Sequence, residues 1–165
     1  MSIVPGVECS AGSLGHGLPV GLGMAIARML HNESGRVFVL LGDGECNEGS
    51  VWEAVMLAST RKVQNLTLIV DFNHLQGMGR DVIAQGNLSE RFKAFGWEAA
   101  DVDGHDLVAL KSALSVSDPE APIAVVAHTV KGKGVSFMED RMEWHYKSPD
   151  DEQLVAALDE LDDAR

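Results

Sequence analysis

Three predominantly apolar segments constrain the fold of this chain more than any other feature. They are VFVLL at 37–41, LTLIVDF at 66–72 and PIAVVAH at 122–128, and a weaker fourth segment, WEAADV, covers 97–102. Strands that are covered on both faces of a parallel sheet have such runs of Val, Ile and Leu, whereas half-exposed strands alternate apolar and polar residues. These segments therefore predict buried parallel strands.

Helical patterns fill the intervals between the predicted strands. They cover residues 17–30, 50–61, 88–95 and 106–115. An acidic C-terminal helix is predicted over 148–162, with Ser148 as its N-cap and Pro149 in its first turn. Strands that alternate with helices predict an α/β fold with a doubly wound, mostly parallel sheet, and we expect a single domain over residues 1–165.

The composition excludes several classes of function. Hydrophobic residues form 45% of the 165 residues, which is enough for a sizeable core. The net charge is −12 and half of it lies in residues 150–165, so no basic face for nucleic acid is expected. The apolar runs are too short to span a membrane, and the first residues lack a signal-peptide pattern. Cys9 and Cys46 have no metal-binding spacing, which favours free thiols in a cytoplasmic protein.

Polar and glycine residues follow each of the three strong strands. Gly42-Asp43-Gly44 follows the first strand, Asn73 follows the second, and the sequence HTVKGKG ends the third. Ligands of parallel α/β sheets bind beyond the carboxyl ends of the strands. Carboxylate and amide oxygens suit Mg²⁺, and glycines let a diphosphate approach the backbone. A Gly-Asp-Gly tripeptide alone is more typical of an ordinary turn, so its context has to distinguish the two interpretations.

That context comes from the spacing. Asp43 and Asn73 are 30 residues apart, with a predicted helix and strand between them. Together with this pattern, five stretches resemble the transketolase family, and specifically the separately encoded N-terminal subunit of split transketolases: PGVECSAGSLGHGLPVGLGMA, GDGECNEGSVWEA, NLTLIVDFNHLQ, FKAFGWEAADVDGHD and AHTVKGKGVSFMEDRMEWHYKSP. The resemblance implies the diphosphate-binding (PP-type) domain of the thiamine diphosphate-binding fold.

The resemblance also implies roles for individual residues. Asp43, Asn73 and the backbone carbonyl of Leu75 would hold the divalent cation, which is Mg²⁺ or alternatively Ca²⁺ or Mn²⁺. His145 would lie near the diphosphate and the reacting centre as a catalytic residue, and Glu48 and Glu53 would lie at a subunit contact. The implied contacts with thiamine diphosphate are Gly12, Ser13, Leu14, Gly42, Asp43, Gly44, Glu45, Asn73, Leu75, Lys131 and His145.

Several of these residues have an ordinary structural interpretation as well. Glu53 would be a solvated helix residue without the family match, and His145 would belong to an aromatic cluster with its neighbours Trp144 and Tyr146. Lys131 would be a plain surface lysine. Packing or surface roles are expected for His16, His105, His128, Met78, Met138 and Met142.

The chain also departs from the family pattern. Family N-terminal subunits carry histidine-containing segments before the PGVE stretch, and the catalytic glutamate of the family lies in a pyrimidine-binding domain; neither occurs in this sequence. Asp71-Phe72-Asn73 and Gly77 differ from transketolases of primary metabolism, which favours a specialised sugar pathway. We therefore expect a separate pyrimidine-domain subunit to complete the site.

Three functional hypotheses remain open on the sequence. The leading one is an enzyme subunit for two-carbon ketol transfer between sugar phosphates or related compounds, in a complex of two copies with two of the pyrimidine-domain partner. The alternatives are a non-catalytic truncated paralogue that only assembles with partners, and a first-component subunit of a 2-oxoacid dehydrogenase.

Overall fold

Four parallel strands form the central sheet of the computed structural model, which describes residues 4–10, 12–116 and 119–163. In chain order the sheet strands are β1 (Val37–Gly42), β2 (Leu66–Phe72), β5 (Glu98–Asp103) and β6 (Ile123–His128). Their spatial order is β1-β2-β6-β5. A two-stranded antiparallel hairpin, β3 (Leu75–Gln76) and β4 (Gly79–Arg80), follows β2. The predicted strands and their parallel arrangement are confirmed.

Helices connect the strands as the alternation predicts. They are α1 (Gly17–Leu30), α2 (Gly49–Thr60), α3 (Leu88–Ala94), α4 (Leu107–Leu114) and α5 (Asp151–Asp163), and 3₁₀ turns cover Gly44–Asn47 and Met142–His145. No helix in the described part of the chain is both long and apolar enough to cross a membrane.

The main core lies between the sheet and helices α1, α2 and α3. Fully buried side chains from all three helices, including Leu18, Val55 and Phe92, belong to one cluster with the strands. The Trp52 ring of α2 stacks on Phe92 of α3 at 5.3 Å between ring centroids. Burial of these side chains fixes the helices on the sheet, because each removes a large apolar area from water.

The edge strand β1 departs from the prediction that it is covered on both faces. Phe38 is 53% exposed and Leu40 is 69% exposed, whereas Val39 and Leu41, which point to the opposite face, are buried. The apolar run is therefore correct as a strand signal but wrong as a signal of burial on both faces, because helix α1 packs on the Val39 and Leu41 side of β1 and leaves the Phe38 and Leu40 side exposed.

Helix α5 begins at Asp151, three residues after the predicted start, so the assignment of Ser148 as its N-cap is wrong. Asp150 caps the helix: its carboxylate accepts a hydrogen bond from the Gln153 N–H at 2.9 Å. The Gln153 side chain in turn accepts one from the Asp150 N–H at 3.1 Å. This reciprocal pair is a capping box, which satisfies two backbone donors at once.

The register of the strands determines where the functional loops emerge. Gly42 pairs with Asp71, and Phe72 pairs with His128, so the three strands end at nearly the same level. The loops that begin at Asp43, Asn73 and Thr129 therefore leave the same edge of the sheet.

Candidate functional site

The side chain of Asp43 is the most unusual polar group at this edge. It is 2% exposed, and its Oδ1 atom accepts a hydrogen bond from the Gly44 N–H at 2.8 Å. Its Oδ2 atom is buried, and no hydrogen-bond donor among the described residues reaches it. Burial raises the pKa of Asp43, and the backbone N–H groups of Gly44 and His74 only partly oppose this. The His74 N–H lies near the carboxylate but does not complete a hydrogen bond to Oδ2. A buried, unpaired carboxylate oxygen is costly unless a cation or a donor satisfies it.

Asn73 follows the strand next to Asp43. The Asp43 N–H donates to the Asp71 carbonyl at 3.1 Å, which holds the ends of β1 and β2 together. The buried Asn73 side chain accepts a hydrogen bond from the Leu75 N–H at 2.9 Å, and this bond shapes the turn through His74. An amide oxygen has two lone pairs, so Asn73 keeps acceptor capacity for a ligand.

Gly44 lies directly against the β3–β4 hairpin. A Cβ atom at Gly44 would lie 3.3 Å from the Gln76 Cβ atom, so a larger residue would push the hairpin away from the turn. A Cβ atom at Gly42 would meet no atom within 4 Å, which leaves open space above the end of β1. The two glycines of the tripeptide thus differ: Gly44 permits close packing, and Gly42 leaves a gap.

A network of amide side chains surrounds this turn, and the sequence analysis did not identify it. Gln76 accepts hydrogen bonds from the Asn47 side chain at 3.1 Å and from the Ile83 N–H at 3.2 Å. The buried Gln85 side chain donates to Asn47 at 2.8 Å and also to the Asp43 carbonyl. Asn47 and Gln76 lie inside the motifs singled out from the sequence, whereas nothing in the sequence distinguishes Gln85 from other loop residues.

Glu45 connects the Gly12–Gly15 loop to the same turn. Its carboxylate accepts a hydrogen bond from the Gly15 N–H at 2.9 Å, and the Ser50 hydroxyl donates to the Gly15 carbonyl at 2.7 Å. Gly12, Ser13 and Leu14 are exposed at the surface of this loop. The loop therefore presents the Leu14 side chain to solvent beside the Gly-Asp-Gly turn, and its predicted contact with the cofactor stays a prediction.

The loop that carries Lys131 is fixed by two carboxylates. The Gly134 N–H donates to Glu139 at 2.9 Å, and the Ser136 N–H donates to Glu160 of α5 at 2.5 Å. Lys131 is half-buried. Within the described ranges, no hydrogen bond or ion pair joins its ammonium group to Asp43 or Asn73, so the structure does not bring Lys131 into direct contact with the turn.

His145 lies close to the hairpin that follows Asn73. Its Nε2 atom is 3.8 Å from the position that a Cβ atom on Gly77 would occupy, and its ring packs edge-on against Tyr146 at 4.6 Å. The ring is exposed to solvent. The fold thus brings this histidine to the Asn73 side of the sheet edge, although 72 residues separate the two in sequence.

Glu48 and Glu53 are both exposed to solvent in the single chain. Glu48 flanks the loop at Gly15, and Glu53 lies on the outer face of α2. Neither side chain contributes to the core of this chain, so their predicted role at a subunit contact stays a prediction.

A second carboxylate, that of Asp101 on the outer strand β5, has a hydrogen-bond partner on each oxygen. Its two oxygens contact the Ser89 hydroxyl and the His128 Nε2 atom, the latter at 2.8 Å. Partial burial opposes ionisation of Asp101, but the hydrogen bonds from Ser89 and His128 outweigh it, and its pKa is lowered. The His128 and His74 rings both pack edge-on against Phe72. The expectation that His128 has a packing role agrees with these contacts.

No group of three or more His, Cys, Asp or Glu side chains with metal-site geometry occurs among the described residues. A site built from one carboxylate, one amide and one backbone carbonyl does not depend on such a group. Cys9 and Cys46 are free, as predicted, and burial raises the pKa of the Cys46 thiol to about 12.

Comparison with known proteins identifies the family. The profile of the domain described as "Transketolase, thiamine diphosphate binding domain" matches residues 1–161. The chain belongs to the transketolase family. It is 43% identical over 162 residues to an apulose-4-phosphate transketolase subunit of Actinobacillus succinogenes, and the match covers 96% of this chain and 59% of that protein.

Further relatives agree with this family membership. The chain is 32% identical to 6-deoxy-6-sulfo-D-fructose transketolase subunit SqwG of a Clostridium species, over 95% of this chain and 58% of that subunit. The crystal structure of Campylobacter jejuni transketolase superposes with a TM-score of 0.88 at 29% identity, over 95% of this chain and 26% of that one. The chain thus spans somewhat more than half the length of the subunit relatives.

Proposed function

We propose that this chain is the diphosphate- and metal-binding subunit of a thiamine diphosphate-dependent, transketolase-like enzyme. The observation that carries the proposal is the buried Asp43 Oδ2 atom, which has no hydrogen-bond donor in the described part of the chain. A divalent cation would remove the cost of burying this oxygen. The open space above Gly42 leaves room for phosphate oxygens beside the same carboxylate.

The residues at the sheet edge fit the metal as well as the cofactor. Asp43, the Asn73 amide oxygen and the Leu75 carbonyl would hold Mg²⁺, and Ca²⁺ or Mn²⁺ accept the same oxygen ligands. A chain with a net charge of −12 needs such a cation to attract a diphosphate. Thiamine diphosphate, when bound, supplies the carbon nucleophile and electron sink for transfer of a two-carbon ketol unit.

The remaining residues of the site would orient the cofactor and the substrate. Leu14, exposed on the Gly12–Gly15 loop, would contact the apolar ring face of the cofactor, and Glu45 would keep that loop in place. His145 would donate a hydrogen bond to an anionic group from an exposed ring. Lys131 would contribute positive charge from the neighbouring loop.

The substrate class follows from the names of the relatives. One subunit relative is named for apulose 4-phosphate and the other for 6-deoxy-6-sulfo-D-fructose, and both names combine a sugar with an anionic group. We therefore assign sugars with a phosphate or similar anionic group to this chain as a class, without distinguishing donor from acceptor.

The apolar outer surface of α1 and α2 supports the proposal that a partner subunit binds there. Arg28 is the only charged residue of the fourteen in α1. Solvent-facing helix surfaces are normally polar, and a helix that is apolar all round is normally buried. The exposed apolar side chains on the two helices are Val20, Met24, Met29, Leu30, Met56 and Leu57.

A groove of about 410 Å³ lies between the two helices and is lined by residues that include Ile26, Met29, Leu57 and Val63. Such a surface favours a protein contact rather than a small polar ligand. The proposed occupants are the pyrimidine-domain subunit and a second copy of this chain, in a complex of two with two. Glu48 and Glu53 would lie at the margin of this contact.

Assembly is tested by substituting Glu53 by Lys. The change should weaken the complex with the pyrimidine-domain chain but leave folding intact, because the side chain is exposed on the free chain. Analytical ultracentrifugation measures assembly and circular dichroism measures folding. Asp159→Lys on the exposed face of α5 is the control, and it should not change assembly. A wild-type chain that stays monomeric beside its partner would contradict the two-subunit proposal.

The activity itself is tested by ketol transfer from a sugar phosphate, with thiamine diphosphate and Mg²⁺ present. The chain alone should be inactive, and the chain with the pyrimidine-domain subunit should be active. Activity of the chain alone, with no partner detectable by mass spectrometry, would contradict the split-site proposal. Stable assembly without turnover would instead favour the non-catalytic alternative.

A further inference from the structure

Gly77 and Tyr146 make direct contact across the sheet edge. The Tyr146 hydroxyl donates a hydrogen bond to the Gly77 carbonyl oxygen at 3.3 Å. A Cβ atom at Gly77 would lie only 2.9 Å from the Tyr146 hydroxyl oxygen, closer than real Cβ contacts come. The backbone of Gly77 is not in the left-handed region. A side chain at this position would therefore displace the Tyr146 hydroxyl group, whereas the backbone conformation does not require glycine.

The contact holds one end of the segment that carries His145. The other end is held by Trp144, whose indole N–H donates to the Phe137 carbonyl at 2.9 Å. The Lys147 ammonium group lies over the Trp144 ring at 4.6 Å, which stabilises the ring further. His145 thus lies between two aromatic anchors that fix the backbone on both sides of it.

The His145 ring has little else to orient it. Within the described part of the chain no hydrogen bond engages either ring nitrogen, and the ring edge packs against Tyr146. Both nitrogens are consequently available to a ligand. The direction in which they point depends on the Tyr146 ring and on the space beside Gly77.

The hairpin end of this contact is rigid. Gln76, the residue before Gly77, is buried and hydrogen-bonded to Asn47 and to the Ile83 N–H. Its Cβ atom lies close to Gly44 of the metal-binding turn. A displacement of Tyr146 relative to Gly77 therefore moves the ring against which the His145 ring packs, on the side of the hairpin that contacts the Gly44 turn.

We propose that Gly77 and Tyr146 form a clasp that orients His145 toward the diphosphate site, with Tyr146 as a positioning residue. The Gly77–Tyr146 and His145–Tyr146 contacts support the clasp itself, and its effect on turnover rests on the proposed function. Tyr146 is 80% exposed, so its removal should leave the core intact. The position of the His145 ring, rather than stability, is the property that the clasp controls.

Nuclear magnetic resonance on the free chain of residues 1–165 tests the clasp directly. Tyr146 is the only tyrosine, so incorporation of 3-fluorotyrosine gives a single ¹⁹F signal. His145→Gln identifies the His145 ring signal by its loss. Gly77→Ala should shift both signals, and Tyr146→Phe should shift the His145 signal. Met78→Ala is the control for the hairpin, because Met78 is exposed, and it should shift neither signal.

Turnover in the assembled complex tests the consequence. Gly77→Ala should lower kcat about 10- to 100-fold with little change in KM, because a misplaced histidine affects the reacting geometry more than binding. Tyr146→Phe in the Gly77→Ala background removes the clashing oxygen. The double variant should therefore be no worse than Gly77→Ala alone, which is a strongly non-additive result.

Two results would overturn the clasp. One is a His145 ring signal that does not move in Gly77→Ala and Tyr146→Phe, and the other is full or independently additive activity of these variants in an active complex. A wild-type complex without ketol transfer would contradict the proposed function instead. In that case the spectra of the free chain still decide whether the clasp exists.

Discussion

Asp43, directly after β1, and Asp101, near the end of β5, are two carboxylates on the opposite outer strands of one sheet, and their surroundings differ. Asp101 has a hydroxyl and an imidazole on its two oxygens, and its pKa is lowered. Asp43 is more deeply buried, has one oxygen without a donor among the described residues, and its pKa is raised. The described part of the protein thus satisfies both oxygens of Asp101 but only one oxygen of Asp43, and a ligand for the second oxygen belongs to the proposed function.

The largest expected effect is the loss of metal-dependent cofactor binding in Asp43→Ala. Titration of the assembled enzyme with thiamine diphosphate, with and without Mg²⁺, measures it. Loss of an outer-shell partner typically lowers metal affinity by roughly 10- to 100-fold, and loss of a direct ligand should lower it further. Asp101→Asn is the matched control, and the affinity of this variant for thiamine diphosphate should stay close to wild type. Equal affinity of Asp43→Ala and wild type would contradict the metal-site assignment.

The next effect concerns pH. Because the pKa of Asp43 is raised, protons compete with Mg²⁺ at a higher pH than at an ordinary aspartate. Below that raised pKa, Mg²⁺-dependent affinity should fall by up to about tenfold per pH unit, the limit for one proton per site. Isothermal titration at several pH values measures the slope. A slope that persists unchanged in Asp43→Asn would assign the proton to another group.

A smaller effect is expected on the stability of the metal-free chain when Asp101 is changed. Asp101→Asn should lower the free energy of unfolding by about 1 kcal/mol or less, because the contact between Asp101 and His128 is partly exposed to solvent. The pKa of Asp101 is lowered in the folded state, so this stabilisation is present above its ordinary value of 3.8 and is lost as the pH falls through the folded value. Urea unfolding at neutral and acidic pH measures the loss of unfolding free energy and its dependence on pH.

The smallest effect has the opposite sign. Asp43→Asn should raise the stability of the metal-free chain at neutral pH by up to about 1 kcal/mol, because it removes a buried charge of which one oxygen has no hydrogen-bond donor in the described part of the chain. The raised pKa means that the wild-type chain loses stability as pH rises from about 3.8 through the folded value. Asp43→Asn should lack this loss. A clear destabilisation by Asp43→Asn would show that the carboxylate is already satisfied without a metal.

Local sequence patterns were sufficient for the strands and for most of the helix boundaries, and they placed Asp43 and Asn73 directly after two strands. They were insufficient where a local signal had two meanings. Ser148-Pro149 and Asp150–Gln153 are both plausible helix starts, and the reciprocal hydrogen bonds favour the second. The VFVLL run is a correct strand signal, but burial of Phe38 depends on neighbours that the run does not specify.

The amide network around the Asp43 turn is a second case in which local sequence patterns do not specify the partners. Asn47 and Gln76 lie inside recognisable motifs, but their hydrogen bond crosses 29 residues, and Gln85 reaches Asp43 across 42. No periodicity or spacing rule identifies such partners, because the contact depends on how the hairpin and the following loop fold back over the turn.

By itself, the sequence determined the alternation of strands and helices, the family, and the position of Asp43 and Asn73 directly after two strands. The strands and their ends are local properties, since they are encoded within a few residues of each other, and the family follows from motifs along nearly the whole chain. Only the tertiary structure decided which carboxylate is left unpaired among the described residues, and that Tyr146 occupies the space left by Gly77 beside His145. Hydrogen-bond satisfaction and close packing depend on the positions of atoms far apart in the chain, and these positions exist only once the sheet, hairpin and loops are assembled.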